Sequence, residues 1–446
     1  MLGGLDMKVR ELAVDEFDNF SKQDEYANPW QTSNFGRACE KLGYEVLYLG
    51  FEDGNALKGC IMLLTKNVYM GQSISYGPRG IITDFSNHTL VEQILDTLKS
   101  YLKSKNIMSV TMDPNVVMSM RDKQGNPFEL SEARDKKLFQ LLHGQETLKV
   151  YPNAPELRKL IMNKNKFEYR GENLYFEGFL PRWYAVTRLP LSAKTLLQKM
   201  DKRSRNKLRK AAKLGVEIIK DDTKNVDYIM EMASINFDYR PPEFYKELFQ
   251  NNLDCEVYLA RINPEKYVNN SKVLYERELD KNEYLSKVIQ DKTLKGKNIS
   301  HSLNEKMQSD KTINSYKEHL VLATDTLKES PTGKFIAYAI VIKSGKTVYI
   351  FEDGFDRRYG MLSPLALLRW KILEQYSEDA RYSVFNFGPV TGNFDRKNNP
   401  DFGINLSRCA LNAVIDEMIG EFAIMTNKQM YNLYQASVLD RHTFRI

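Results

Sequence analysis

Positive charge in this chain gathers in one short segment. Between positions 199 and 213 the sequence holds eight cations and a single acid, Asp201. A helix predicted over 196–214 and ended by Gly215 carries them on its surface. Ordinary solvated faces mix both signs of charge, whereas this one attracts polyanions whatever their sequence. We therefore expect an anionic partner, RNA or lipid headgroup, at Lys202, Arg203, Arg205, Lys207, Arg209 and Lys210.

The residues for several other chemistries are missing from the sequence. The five histidines have no metal-ligand spacing, and the four cysteines are widely scattered without a Cys-x-x-Cys motif. Thr332-Gly333-Lys334 lacks the upstream glycine of a phosphate-binding loop. We expect no metal and no cofactor, and we predict reduced, mostly buried thiols.

The length of the chain predicts more than one globular unit. Its 446 residues exceed the usual size of a single core, and the net charge of +6 is moderate. No apolar run approaches the roughly 18 residues of a membrane-spanning helix, and the N-terminus has no basic region followed by a hydrophobic one. These features favour a cytoplasmic protein.

A long charged segment interrupts the strands of the second half. Between predicted strands at 255–262 and 335–342, the sequence changes to charged and amide residues with isolated apolar ones. The sequence predicts two helices joined near Gly296, which form an antiparallel two-helix coiled-coil arm over 264–328. Because an arm adds surface but little core, we expect it to contact something large. A solvated spacer without a partner is the alternative.

Helices and strands alternate on both sides of this arm. The alternation predicts an α/β or α+β layer fold. Residues 8–165 form the first predicted unit, and residues 166–263 with 329–446 form the second. The two units share the order helix, strand pair, helix, strand, which indicates a duplicated fold.

Short motifs along nearly the whole chain occur in a familiar order. They are Gln31-Thr32-Ser33-Asn34-Phe35-Gly36, Tyr76-Gly77-Pro78-Arg79-Gly80, Met112-Asp113-Pro114, the basic helix running into Gly215-Val216, Arg240-Pro241-Pro242-Glu243-Phe244-Tyr245, Phe385-Asn386-Phe387-Gly388, Thr391-Gly392-Asn393-Phe394 and Ile419-Gly420-Glu421-Phe422. In this order they resemble the FemABX family of peptidoglycan interpeptide-bridge aminoacyltransferases.

The resemblance implies both a fold and a reaction. The fold is two tandem GNAT-like domains with a helical arm, the first domain binding the precursor. The reaction moves an amino acid from aminoacyl-tRNA to the stem-peptide lysine of a peptidoglycan precursor, either lipid II or UDP-muramoyl pentapeptide. The implied partners are therefore aminoacyl-tRNA, held by the basic helix and the arm, and the precursor at the inner face of the membrane. Peripheral membrane contact and related bridge-forming transferases are further expected partners.

Two candidate catalytic residues follow from the resemblance. Asp113, at a strand end, is placed to hold the lysine ammonium and to help remove its proton. Arg408 stands where the family has lysine, and Ser407 where it has phenylalanine; a guanidinium there binds phosphate or an oxyanion but does not readily release a proton. Pro389 also replaces a usual glycine.

Six further residues are candidates for substrate binding. Arg79 and Arg240 suit phosphate or carboxylate groups because guanidinium pairs with them bidentately. Phe244 stands where relatives often have tyrosine. The full set is Gln31, Phe35, Tyr76, Arg79, Arg240 and Phe244.

The departures leave two alternatives open. One is a diverged family member, weak or inactive in catalysis, that binds tRNA or partner proteins. The other is an ordinary acetyltransferase of the same fold. That reading is disfavoured because Leu362 fills the small-residue position of the loop Arg357-Arg358-Tyr359-Gly360-Met361-Leu362 that would cradle a pyrophosphate.

Overall fold

The protein folds around two mixed β-sheets. The structure, a computed structural model, describes residues 7–143, 154–233 and 240–437. The strands are β1 Met7–Glu11, β2 Glu45–Asp53, β3 Ala56–Tyr69, β4 Gln72–Gly77, β5 Ile82–Thr83, β6 Ile107–Met112, β7 Val117–Arg121, β8 Glu168–Tyr169, β9 Trp183–Arg188, β10 Val216–Asp221, β11 Cys255–Ile262, β12 Lys334–Ser344, β13 Thr347–Phe355, β14 Val384–Val390, β15 Val414–Met418 and β16 Phe422–Met425.

Helices cover the sheets and form the arm. They are α1 Val14–Gln23, α2 Ser33–Glu40, α3 His88–Ser104, α4 Ala133–His143, α5 Ala154–Asn163, α6 Ala193–Lys199, α7 Lys202–Lys213, α8 Val226–Ala233, α9 Pro242–Phe249, α10 Pro264–Leu294, α11 Ser300–Glu329, α12 Pro364–Tyr376, α13 Phe402–Arg408 and α14 Lys428–Ser437. None of these helices combines the length and the apolar character needed to cross a bilayer. All four cysteines are buried and free, as their scatter predicts.

The two sheets have the same internal plan. The first has the order β1-β2-β3-β4-β6-β16-β8, with β5 beside β3, and the second has the order β10-β11-β12-β13-β14-β9-β15-β7. Each contains one parallel pair, β4 with β6 and β13 with β14, among antiparallel neighbours. The α/β class is confirmed, and the repeated plan agrees with two tandem GNAT-like units.

The two sheets exchange strands. β7 follows the first sheet in the chain but pairs with β15 of the second, whereas β16, near the C-terminus, pairs with β6 of the first. One strand predicted near 413–422 is therefore two, because Gly420 turns the chain between the sheets with φ +103°. The division at residue 165 stays a prediction, and residues 144–153, 234–239 and 438–446 of the predicted units lie outside the described ranges.

Helix α3 shows how the sequence specifies the packing in the first unit. Asn87 caps it by accepting a hydrogen bond from the Leu90 N–H, 3.1 Å away. The predicted apolar stripe is buried against the sheet: Val91, Ile94, Leu95, Leu98 and Leu102. The apolar periodicity of the sequence predicts a helix over 89–105, and the structure has it at His88–Ser104.

The basic segment forms two helices instead of the one predicted. α6 ends at Lys199, and α7 begins at Lys202. Asp201 divides them because its carboxylate accepts hydrogen bonds from the backbone N–H and the hydroxyl of Ser204, each at 2.8 Å. Aspartate is a strong N-cap, and this single acid starts a new helix inside the run of cations.

The inserted segment is a long helical hairpin. α10 and α11 pack against each other along their length and turn at Gly296, where φ is +63°. Asn282 donates to Asp310 across the pair at 2.7 Å, at two positions where the sequence breaks the apolar seam. At the base, the Tyr267 hydroxyl lies 2.9 Å from His319 Nδ1. Burial lowers the pKa of His319 to about 4, so this histidine is neutral at the arm's root.

Candidate functional site

A buried carboxylate–arginine pair marks the end of β6. Asp113 follows directly after that strand and is 3% exposed. Its Oδ1 accepts hydrogen bonds from the Arg79 backbone N–H at 2.8 Å and the Tyr76 hydroxyl at 3.1 Å. Its Oδ2 lies 3.1 Å from Arg79 Nη1. The structure thus brings together Asp113, Arg79 and Tyr76, which the sequence places far apart; we call them the Asp113 centre.

Arg79 connects this centre to the second sheet. Its φ of +52° turns the loop after β4 back onto β6. The guanidinium donates to the Tyr184 hydroxyl at 2.9 Å and lies over the rings of Tyr184 and Trp30, at 5.2 and 5.8 Å from their centroids. A buried charge held by an anion and two ring faces is a fixed positive group.

A second carboxylate, Glu421, is electrostatically coupled to Asp113. It lies in the turn before β16, where its Oε2 accepts from the Phe179 backbone N–H at 3.3 Å, and the Phe179 ring packs 4.7 Å from that of Tyr76. Burial, with repulsion from Asp113, raises the pKa of Glu421 to about 7. Burial also raises the pKa of Asp113, although Arg79 opposes the shift. A carboxyl group with a pKa near neutrality can both take and give a proton.

A cleft of about 280 Å³ lies between the two units, and we call it the interface cleft. Its walls include Trp30 and Arg79 from the first unit and Tyr184, Tyr349 and Asn386 from the second. At one side Arg188 and Asp416 form a buried ion pair, with Arg188 Nη2 at 2.6 and 2.7 Å from the two carboxylate oxygens. Asp113 does not line the cleft, but Arg79, with which Asp113 is paired, does.

Arg408 belongs to a second buried cluster, which we call the Arg408 centre. Asp353 on β13 accepts from Arg369 Nε at 2.6 Å and from Arg408 Nη2 at 3.4 Å. Arg369 also donates to the Ser407 hydroxyl at 2.9 Å. Burial alone would raise the pKa of Asp353, but the two guanidinium groups hold it below its usual value. Two cations against one anion leave this cluster positive.

The Arg408 guanidinium is held with part of its hydrogen-bonding capacity unused. Its Nη1 is buried and has no hydrogen-bond partner within residues 7–143, 154–233 and 240–437. Burial lowers the pKa of Arg408 to about 10, so the group stays cationic at neutral pH. Gly388, with φ +96°, makes room for it, because a Cβ there would lie 2.1 Å from Nη1. A buried, charged donor without a partner can bind an anion or stabilise a developing oxyanion.

Tyr184 stands between the two centres. Its hydroxyl accepts from Arg79, and on β9 it lies opposite Pro389 of β14, the residue after Gly388. The charges of Arg79 and of Arg408 both act to lower its pKa, although burial dominates and raises it. Tyr184 thus lies between Asp113 and Arg408, and these two residues do not line one open groove.

A cavity of about 360 Å³ joins the Arg408 region to the basic helix, and we call it the α7–α13 cavity. Arg203 and Lys207 of α7, with Arg396, supply its cations, and Ser407 and Leu411 form part of the opposite wall. Lys202, Arg203, Lys207 and Arg209 are exposed, whereas Arg205 and Lys210 are half-buried. Lys210 lies 5.5 Å over the Tyr316 ring of the arm, so the helix and the arm form one continuous surface.

The other predicted site residues lie in packed surroundings. Gln31 donates to the carbonyls of Met62 and Pro78 and accepts from the Met62 N–H, which fixes the loop that carries Arg79. Phe35 and Phe244 are buried edge to face, 6.3 Å apart. Arg240 forms an ion pair with Glu352 at 2.5 Å. Their part in substrate binding stays a prediction.

The segment that would cradle a pyrophosphate has another structure. Arg357–Leu362 is a 3₁₀ helix whose Tyr359 and Leu362 are buried. Arg358 pairs with Glu329 at the end of the arm, at 2.6 and 3.0 Å. Tyr359 and Leu362 are therefore committed to the core and Arg358 to the arm.

Sequence reasoning missed Tyr184, Asp353 and Arg369, and it left Glu421 without a role. Asp353 carried a usable signal. It stands beside Glu352 just past 347–351, which the sequence predicts to be a strand, as Asp113 stands just past the strand predicted at 108–112. Arg369 and Tyr184 carried none, since each lies inside an element that is buried over most of its length.

Comparison with known proteins agrees with this geometry. A model of the FemAB family matches residues 12–438. The chain belongs to the FemAB family. The aminoacyltransferase FemB of Staphylococcus epidermidis is 25% identical over 452 residues, covering 98% of each chain. The lipid II:glycine glycyltransferase of Staphylococcus haemolyticus is 21% identical over 441 residues, covering 96% of this chain and 95% of that protein.

The fold of this FemAB-family chain is also found in a solved structure. The crystal structure of FemX superposes with a TM-score of 0.65 at 17% identity, over 96% of this chain and 99% of FemX. The expected family and the expected enzyme class, aminoacyltransferase, are confirmed.

Proposed function

We propose that this protein transfers an amino acid from aminoacyl-tRNA to the stem-peptide lysine of lipid II in the synthesis of peptidoglycan bridges. The observation that carries the proposal is a pair of buried arginine–carboxylate centres on either side of Tyr184, one with a second carboxyl group nearby and the other with a surplus guanidinium. The FemAB relatives named for lipid II and for aminoacyl transfer support the choice of substrates.

The amine-bearing substrate suits the interface cleft and the Asp113 centre. Trp30, Tyr184 and Tyr349 give the cleft flat apolar walls, and Arg79 offers a fixed cation for a carboxylate or phosphate of the precursor. Asp113 and Glu421 put two coupled carboxyl groups behind Arg79 and Tyr76. Since the pKa of Glu421 is about 7, this carboxyl pair is the place for the proton that the amine releases.

The tRNA ester suits the opposite side. The exposed cations of α7 attract the phosphates of the acceptor stem, and the α7–α13 cavity receives its end. In this proposal Arg408, which follows Ser407 of the cavity wall but is not itself part of that wall, donates its unused Nη1 to the ester carbonyl or the adjacent phosphate. Removing one such donor typically slows the chemical step by about 10²–10³-fold.

The reaction needs no redox partner. The deprotonated amine attacks the ester carbonyl, a C–N bond forms, and the carbonyl oxygen becomes an oxyanion. The C–O bond to the ribose then breaks, and the ribose oxygen takes up the proton that the nitrogen loses as the amide forms. The other proton, lost when the ammonium became an amine, goes to the carboxyl pair and then to solvent. Because the ester is already activated, holding the reactants in place supplies a large part of the acceleration.

A turnover assay with charged tRNA and lipid II tests the proposal. Wild-type protein is expected to form the aminoacylated precursor, and Asp113→Asn to lose most of that activity while still binding tRNA. A matched control is Asp227→Asn, at an exposed aspartate in the first turn of α8.

Two results separate the proposal from its rival. Binding of tRNA without any product from the wild type, across several charged tRNAs, would favour a binding module over an enzyme. Equal product from Asp113→Asn and the wild type would remove Asp113 from the mechanism. Sequencing the bridge peptide of a deletion strain identifies the amino acid transferred.

A further inference from the structure

Helix α4 buries only a narrow face. Asp135, Phe139 and His143, at intervals of four residues, are its buried positions, and the Phe139 and His143 rings stack 4.5 Å apart. Most of the remaining circumference faces solvent. A helix anchored by one row of side chains leaves a broad outer surface.

That outer surface carries leucines and cations together. Arg134, Lys137, Leu138 and Leu141 follow the spacing i, i+3, i+4, i+7 and so share one face. Leu138 is 39% exposed and Leu141 is 66% exposed. With Gln140 and with Lys199 at the end of α6 they line a shallow depression, which we call the α4 patch.

The charge of the α4 patch is positive. Among the residues that the structure describes, its lining has three cations and no carboxylate. Arg134 is paired with Asp135 at 3.1 Å, but Asp135 faces the core, where it also accepts from the Glu129 N–H at 2.7 Å. Lys199 is partly desolvated beside the leucines, which lowers its pKa. Exposed aliphatic side chains ringed by cations form a surface complementary to anionic headgroups above acyl chains.

The α4 patch is tied rigidly to the interface cleft. His143 Nδ1 accepts from the Arg188 backbone N–H at 3.4 Å, and Arg188 lines the cleft. The Leu142 carbonyl accepts from Asn412 at 2.8 Å, just before β15. The helix therefore docks on the strands that form one wall of the cleft.

We propose that the α4 patch docks the protein on an anionic lipid bilayer, with Leu138 and Leu141 inserted among the acyl chains and Lys137 and Lys199 at the headgroups. The leucines distinguish this surface from α7, whose exposed residues are almost all cationic and suit RNA. Docking places the cleft beside the membrane, where a lipid-linked precursor presents its polar part. This last step rests on the proposed function, whereas docking itself does not.

Flotation with vesicles tests the docking on the full-length protein. The wild type is expected to bind vesicles that contain phosphatidylglycerol and to bind phosphatidylcholine vesicles much more weakly. The double variant Leu138→Ser/Leu141→Ser is expected to lose binding on the order of tenfold. Lys137→Gln is expected to lose about fivefold, less at high salt.

Matched variants elsewhere guard against general effects. Leu253→Ser/Leu294→Ser removes two leucines that are 90% and 82% exposed, and Lys164→Gln removes an exposed cation of the first unit. Both are expected to bind vesicles like the wild type. Equal binding to neutral and anionic vesicles, or unchanged binding of Leu138→Ser/Leu141→Ser, overturns the proposal. Loss of tRNA binding instead of vesicle binding in that variant assigns the patch to RNA and overturns it too.

These vesicles hold no precursor, so the readout is independent of catalysis. If the wild type docks but makes no product from lipid II, the proposed function fails and the docking stands. If the wild type and the Leu138→Ser/Leu141→Ser variant are equally active on lipid II in vesicles and neither protein floats with the vesicles, the docking proposal fails and the proposed function stands.

Discussion

The Asp113 centre and the Arg408 centre use the same side chains to opposite effect. Each is a buried cluster at a strand of its sheet's parallel pair, with an aspartate held by arginine. The first has one arginine facing Asp113 and, nearby, Glu421; the second has two arginines facing one aspartate. Burial and a like-charged neighbour raise the pKa of Glu421 in the first, whereas Arg408 has its pKa lowered in the second.

The contrast shows how two similar sheets can supply different halves of one reaction. A cluster with a surplus carboxyl group accepts a proton from an amine, and a cluster with a surplus guanidinium stabilises negative charge on oxygen. Tyr184 lies between them, so the polarity of the site runs from one unit to the other.

The largest expected effect is on the stability of the Asp113 centre. Arg79→Ala leaves Asp113 buried without its cation, and we expect the free energy of unfolding to fall by about 3–5 kcal/mol in a urea titration. Arg10→Ala, which breaks an ion pair of exposed side chains with Glu16 and Glu52, is expected to cost less than about 1 kcal/mol. Equal losses in the free energy of unfolding for Arg79→Ala and Arg10→Ala would show that the buried ion pair contributes no more to stability than the exposed one.

The next effect concerns catalysis at the Arg408 centre. Arg408→Ala is expected to lower kcat by about 10²–10³-fold, because Arg369 still neutralises Asp353 but no donor faces the reacting oxygen. Arg381→Ala, at an exposed arginine, serves as the control. Arg408→Lys with unchanged activity would show that the position requires only a cation and would refute a role specific to arginine.

Glu421 predicts a pH dependence of the opposite kind from that of an ordinary ion pair. Its pKa is about 7 in the fold against an ordinary glutamate value of 4.5, so the folded state binds more protons between these values. Stability therefore falls as pH rises from about 4.5 to 7. Glu421→Gln is expected to remove this fall and to raise the free energy of unfolding at pH 8 by about 1–3 kcal/mol.

The same substitution is expected to alter the rate. If the carboxyl pair takes the proton, wild-type kcat rises with pH to a plateau above about 7, and Glu421→Gln is slower with a flatter profile. Glu276→Gln on the exposed arm is the control. An unchanged profile would leave Asp113 alone as the proton acceptor.

The smallest effect is on tRNA affinity. Arg203→Gln and Lys207→Gln are each expected to weaken binding and to reduce the slope of log affinity against log salt by about one, since each removes one phosphate contact. Lys164→Gln, outside the basic helix, is expected to change neither. A change in affinity that does not depend on salt would argue against phosphate contacts.

Local patterns predicted those features that local forces decide. The arm follows from helical periodicity on both sides of Gly296, whereas Asp113 was a candidate only through the family resemblance. Aspartate is a common helix cap, but Asp201 stands within a run of cations that predicts one continuous helix. The break between α6 and α7 was therefore not predicted.

Features that depend on contacts between residues far apart in the chain could not be predicted from the sequence. β13 continues through Glu352 and Asp353 because Arg240 and Arg369, from elsewhere in the chain, neutralise them inside the sheet. The apolar alternation that predicts strands ends before these residues. The exchange of β7 and β16 depends likewise on pairing across about 300 residues, which no short window contains.

The crossing of β16 into the first sheet has a consequence for biosynthesis. Until residue 425 has left the ribosome, the fully buried strand β6 lacks its neighbour and presents an open, apolar edge to other chains. An N-terminal half made alone is therefore expected to associate with itself, and the complete polypeptide matures as one cooperative body instead of unit by unit.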